Sequence, residues 1–163
     1  MSEDLMPEDL VPDDFMAPEA RVKNINQADK KLVDLMRFGL EHGIESIRIK
    51  GKGPLVPFVV TEANGEKEVT RFFTAHLDEG LSEAIRFLKD EKKSHYAVLV
   101  YDAFLPMDGQ NFNAVIARGY DRTDTVGYAL GQRYIPARFF TFFKLAGSKI
   151  YLGNADPLLI KNQ

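Results

Sequence analysis

Residues 95–105 constrain the fold more than any other stretch. The run is apolar on both parities, with Tyr96, Val98 and Val100 on one side and Ala97, Leu99 and Tyr101 on the other. A half-buried strand alternates apolar with polar residues, so a run without alternation reads as a strand buried on both faces, at the centre of a sheet. The neighbouring segments must supply the flanking strands.

The strongest local signal among them is Asn64-Gly65, set between the β-prone runs 55–62 and 66–73. Both residues tolerate positive φ, which a two-residue hairpin turn requires. Such a turn fixes the register. It places Val60 opposite Val69 and Glu62 opposite Lys67, an apolar pair and an opposite-charge pair. Pro57 has no N–H to donate, so its strand is expected at a sheet edge or at a bulge. The turn Pro106-Met107-Asp108-Gly109 joins the central strand to a run at 112–120, and the polar loop 121–125 joins that to a run at 126–134, which together read as an antiparallel meander. Residues 138–145 and 149–152 are further strand candidates.

Two segments carry helical spacing. In the first, Asn26 is a candidate N-cap, Leu32, Leu35, Met36 and Leu40 form an apolar stripe, and Gly43 is the expected left-handed stop, with a short strand following at 46–50. In the second, Thr74 is the expected cap and Leu77, Leu81, Ala84, Ile85 and Leu88 form the stripe, with acids in the first turn and lysines at the end as the helix dipole favours. Parallel strands would each need a long crossover, so this order of elements predicts an α+β fold. The expectation is a mostly antiparallel sheet of about six to eight strands with two helices packed on one face. Gly127, Ala129 and Gly131 leave one face of their strand almost bare, and a helix is expected to lie there.

Charge divides the 163 residues unevenly. The net charge is −3, yet residues 1–19 hold seven acids and no Lys or Arg, leaving 17 acids against 21 bases in the rest. A body so nearly balanced lacks the clustered basic stripe of a nucleic-acid binder. The acidic segment repeats a unit of two acids, two apolar residues and a proline: Glu3-Asp4-Leu5-Met6-Pro7, Glu8-Asp9-Leu10-Val11-Pro12, then Asp13-Asp14-Phe15-Met16-Ala17-Pro18. Proline at that frequency blocks helix and central strand alike, so residues 1–20 are expected to be a disordered acidic tail and residues 21–163 a single globular domain. Acids beside Leu5, Leu10 and Phe15 suit docking onto a basic-rimmed apolar groove of a partner, while a solubilising leader or a tail folded onto its own body accounts for the same composition.

There is no cysteine, which removes disulfides, thiolate chemistry and thiolate metal sites and fits a reducing compartment. With no apolar run of membrane-spanning length and no signal-peptide pattern, the expected location is cytoplasmic, away from membranes. His42, His76 and His95 stand in no metal-binding spacing, and neither a P-loop nor a G-x-G-x-x-G nor a G-x-S-x-G motif is present, so no cofactor or metal is expected.

What remains is a short set of candidates. Asp102 shares the parity of Tyr96, Val98 and Val100, so its carboxylate points where apolar side chains point, and burial there would raise its pKa toward acid or base work. His76 is a candidate general base near it, and Tyr120, Asp121 and Arg122 are candidate ligand-binding residues at the loop 121–125. Phe139, Phe140, Phe142 and Phe143 put aromatic rings on both faces of one expected strand, and the set that does not enter the core must meet a second layer, a subunit or a partner. Phe72 and Phe73 raise the same question. The leading expectation is a non-enzymatic cytoplasmic protein-interaction domain that uses the phenylalanines and the acidic tail to bind a protein partner or a second copy. The alternative is a small-molecule-binding or catalytic domain with a pocket near Asp102 and the loop 120–125.

Overall fold

A computed structural model describes residues 23–159. The expected acidic tail, with Leu5, Leu10 and Phe15, lies outside the described residues. After a short 3-10 turn at Ile25–Gln27, the chain forms α1 (Lys30–Lys50), β1 (Phe58–Ala63), β2 (Glu66–Arg71), α2 (Leu77–Asp90), β3 (Tyr96–Met107), β4 (Gln110–Asp121), β5 (Gly127–Ile135), β6 (Lys144–Leu145) and β7 (Ile150–Ala155). The strands make one antiparallel sheet in the order β2-β1-β3-β4-β5, with β6 and β7 sharing the outer edge of β5. The fold is α+β with seven strands.

The turns behave as their residues require. Asn64 and Gly65 take φ of 54° and 81°, and Val60 pairs with Val69 and Glu62 with Lys67. Asp108 and Gly109, at φ 52° and 78°, close the β3–β4 hairpin in the same way. Pro57 stands just outside β1, where its carbonyl accepts the Phe72 N–H. β1 is therefore internal, and the charged β2 forms the edge.

β3 is buried on both faces, and the two parities face different helices. Val98 and Val100 pack with Leu32, Leu35, Met36, Leu40, Ile44 and Ile47 of α1. Ala97 and Leu99 pack with Ala84 and Leu88 of α2 and with Leu152, Leu158 and Leu159. The helices thus lie on opposite faces, not on one, because a central strand apolar on both sides needs a cover for each. The bare stripe of β5 is not under a helix either. A Cβ on Gly127 would stand 2.8 Å from the Tyr120 ring, and one on Gly131 would stand 3.2 Å from both Leu105 and Leu152.

α1 begins later and ends later than its sequence suggests. Its N-cap is Asp29, not Asn26: the carboxylate accepts the Lys31 N–H at 2.9 Å and the Tyr96 hydroxyl at 2.9 Å. These two hydrogen bonds, the backbone one foremost, hold the Asp29 pKa below its ordinary value. Gly43 does not stop the helix. It is buried against the sheet, where a Cβ would meet Leu55, Val100 and Val115 each at 3.1 Å, and a Cβ on Gly39 would meet Val100 at 3.0 Å. The missing side chains let the helix axis come close to β3. The expected strand at 46–50 is instead the last turn and a half of α1, with Ile47 in the core, and Gly51 at φ 83° supplies the stop. α2 likewise starts at Leu77 with His76, not Thr74, as its N-cap: the Glu79 carboxylate accepts the His76 N–H, and the Thr74 hydroxyl donates to the His76 carbonyl two residues on.

Among the described residues no helix is long and apolar enough to cross a membrane. The packing role of Gly43 is open to direct measurement. Leu is the better helix former by up to about 1 kcal/mol, yet Gly43→Leu is expected to lower the unfolding free energy by about 1–3 kcal/mol in urea denaturation, because the added side chain has no room. A stabilised variant would show that the glycine is not there for close approach.

Candidate binding site

β1 accompanies β3 only over Tyr96–Val100, so beyond Tyr101 one edge of β3 has no strand beside it. The chain leaving α1 fills part of this gap: the Leu55 N–H donates to Asp102 Oδ2 at 3.0 Å. The β3–β4 and β4–β5 registers set Phe104 opposite Asn113 and Asn113 opposite Tyr134. These three side chains and Asp102 form the floor of a cleft of about 480 Å³, whose walls include Lys52, Pro54, Leu77, Pro136 and Arg138. That volume is in the range of ligand-binding pockets, roughly 300–1,000 Å³. A smaller hollow of about 200 Å³ shares Leu77 and Asp102 with it and continues along Pro57 and Leu81.

Asp102 is held firmly in this floor. The Tyr134 hydroxyl donates to both of its carboxylate oxygens at 3.0 Å. Burial raises the Asp102 pKa above the usual carboxylate range, outweighing the hydrogen bonds from Leu55, Tyr134 and Ala103 that favour the ion. The Tyr134 pKa rises too, through burial first and the neighbouring Asp102 charge second. Gly53 makes the arrangement sterically possible, since a Cβ there would fall 2.5 Å from Asp102 Oδ2 and 2.8 Å from the Tyr134 hydroxyl. The two walls are tied by the Ala137 N–H donating to the Gly51 carbonyl at 2.7 Å.

Beside the cleft stands an aromatic finger. The expected strand 138–145 does not form, apart from the two residues of β6. Arg138 and Thr141 instead exchange two backbone hydrogen bonds, 2.9 and 3.2 Å, and close a tight turn with Phe139 and Phe140 at its tip. Phe139 is 98% exposed, Phe140 97% and Phe142 88%. Phe143 alone turns inward, stacking on the Tyr134 ring at 5.6 Å with the Arg48 guanidinium 5.0 Å from its ring centre. The base of the finger is therefore packed on the floor of the cleft. Of the two cations at the cleft, Lys52 and Arg138, neither has an acidic partner within ion-pair distance among the described residues.

The other expected site residues lie elsewhere. Tyr120 and Asp121 pair with Ala97 and Tyr96, five to six residues along β3 from Asp102, which is roughly 17–20 Å at strand rise. Tyr120 is buried in the core on the α2 face. The Asp121 carboxylate accepts the N–H and hydroxyl of Thr123, an Asx turn, and the Arg122 side chain donates to the carbonyls of Ser94 and Glu91, fastening the turn that leads into β3. His76 is exposed at the start of α2, where Leu77 and not His76 lines the cleft. The structure thus brings Asp102 together with neither His76 nor the loop 120–125. Among the described residues, no three or more of His, Cys, Asp and Glu gather where they could hold a metal ion.

The residues that the sequence did not single out are Tyr134, Asn113, Phe104 and Arg138. One signal was present: the Asp108-Gly109 turn fixes Phe104 opposite Asn113 and puts both on the face of Asp102. Comparison with protein-family models, with characterised proteins and with solved structures finds no match for this chain.

The buried carboxyl has a pH signature. A folded-state pKa above the unfolded value means that the native state binds the extra proton, so Asp102 favours folding below the ordinary carboxylate pKa and loses that contribution as pH rises through its raised value. Asp29, Glu91 and Asp124, whose pKa values are lowered, act in the opposite direction, so the difference between two proteins isolates Asp102. Asp102→Asn should gain on the wild type as pH rises from 4 to 7 in denaturant titrations. Parallel curves would mean that the carboxylate is not desolvated.

Proposed function

We propose that this is a non-enzymatic, cytoplasmic protein-interaction domain that grips a partner segment between the Phe139–Phe142 finger and the Asp102 cleft. The observation that carries the reading is the exposure of three phenylalanines together, Phe139 and Phe140 at the tip of a hydrogen-bonded turn and Phe142 just after it. Burying a Phe side chain is worth roughly 1.5–3 kcal/mol, so three of them supply a large share of the free energy an association needs. Because the turn already holds the rings outward, little ordering remains to be done on binding. Aromatic residues that cluster beside a cleft, with arginine near them, have the composition of the central residues of an interface. The cleft itself favours a partner with apolar side chains, for Pro54, Leu77, Phe104 and Pro136, and acidic ones, for Lys52 and Arg138.

A second reading, a small-molecule or catalytic site, is favoured by one feature: Asp102 and Tyr134 share hydrogen bonds at the floor of a pocket-sized cavity. A raised carboxyl pKa suits proton transfer. No second titratable group lines the cleft at hydrogen-bonding distance from that pair among the described residues, which favours binding over chemistry.

The two readings separate on the triple variant Phe139→Ser/Phe140→Ser/Phe142→Ser. Its stability should stay within about 0.5 kcal/mol of wild type, as for other exposed sites. Used as bait in a cell extract, it is expected to lose partners that the wild-type chain retains, or, if the partner is a second copy, to sediment at lower mass. Identical capture and identical mass would remove the interaction reading.

A further inference from the structure

We infer that the cleft is a docking site for the chain's own N-terminal segment, with the unit Glu8–Pro12 occupying it. This inference rests on the cleft and finger being a peptide-binding surface and names the peptide. The segment and the cleft fit chemically. The cleft offers an apolar lining from Pro54, Leu77, Phe104 and Pro136 together with two cations, Lys52 and Arg138, that lack an ion-pair partner among the described residues. Each unit offers two adjacent acids followed by two apolar residues and a proline. Among the described residues the one acid lining the cleft, Asp102, turns its oxygens toward the Leu55 N–H and the Tyr134 hydroxyl, so the cations face an incoming segment without competition from it.

The segment is also long enough to reach the cleft. Lys23 is fixed at the end of the sheet where α1 begins: its ammonium lies 2.6 Å from Asp124 and its N–H donates to Asn154. The cleft begins just past the other end of that helix, at Lys52 and Pro54. A helix of 21 residues spans about 30 Å at ~1.5 Å per residue. An extended chain covers at most ~3.3–3.6 Å per residue, so about ten residues are needed to run back along it. Pro12 precedes Lys23 by 11 residues. The first two units therefore have enough leash to enter the cleft, whereas Phe15 in the third, eight residues from Lys23, falls short of it. Docking in this way places the chain's own segment where a partner would bind, so a partner carrying the same chemistry has to displace it.

The chain contains no tryptophan, which makes a single introduced one a clean reporter. In full-length protein carrying Leu10→Trp, the emission is expected to lie to the blue of the same tryptophan in a free peptide of residues 1–18. The blue shift should be lost in Lys52→Glu/Arg138→Glu and separately in Glu8→Lys/Asp9→Lys, both checked for native circular dichroism. It should weaken in about 1 M NaCl, where the screening length is ~3 Å, and should not change on dilution. Emission equal to the free peptide, or a blue shift untouched by the charge reversals, overturns the inference. A blue shift that fades on dilution overturns it in favour of the segment of a second copy. If the introduced tryptophan is water-exposed while finger-dependent partner capture persists, the interaction-domain reading stands without the docked segment; if capture also fails, both fall.

Discussion

The close seating of α1 on β3 is the contact on which the rest of this structure depends. Gly39 and Gly43 give up side chains so that the helix can settle onto Val98, Val100 and Val115, and the whole stripe from Leu32 to Ile47 is buried as a result. That seating sets where α1 lies on the sheet, Gly51 ends the helix, and the chain then runs on through Lys52, Gly53 and Pro54. From there the Leu55 N–H reaches Asp102.

The site is a product of unequal strand lengths. β3 and β4 each run for 12 residues while β1 has 6, so the sheet is wider at one end than at the other. The surplus length of β3 creates a stretch without a neighbour, and the protein covers it with a loop and a polar cluster rather than with another strand. Asp102 and Tyr134 are satisfied there by each other and by backbone amides, which is what buried polar groups require. The same surplus exposes Phe104 and Asn113 as cleft floor.

How much of this was legible from the sequence depends on whether a local rule or a tertiary contact decided the outcome. Asn64-Gly65 and Asp108-Gly109 act through their own φ values, and both hairpins follow with their registers. The double parity of residues 96–101 required two covers and received them. Gly43 misleads because glycine stops helices and also permits close packing, and only the position of β3 distinguishes the two; Ile44 and Ile47, continuing the stripe, were the local sign that the helix goes on. The phenylalanines at 139–143 looked like a strand with two apolar faces, since alternation cannot register that three of the four rings point to solvent. The cleft was half legible. Asp102 stood out as an acid among apolar residues, but Tyr134 reaches it across two strand pairings, and Lys52 arrives from a loop about 50 residues earlier in the chain. Asp121 and Arg122 stood out as polar groups in a loop, and the structure engages them with Thr123, Ser94 and Glu91, partners that no spacing rule contains.

The closed turn from Arg138 to Thr141 has a consequence for how such a protein can change over time. Its geometry is set by two backbone hydrogen bonds, and the rings it displays touch almost nothing else in the molecule. If the finger is the binding surface we propose, replacing Phe139, Phe140 or the neighbouring Phe142 changes what it selects while leaving the hydrophobic interior untouched, so recognition and foldedness can drift independently. Phe143 marks where that freedom ends, because its ring is already committed to Tyr134.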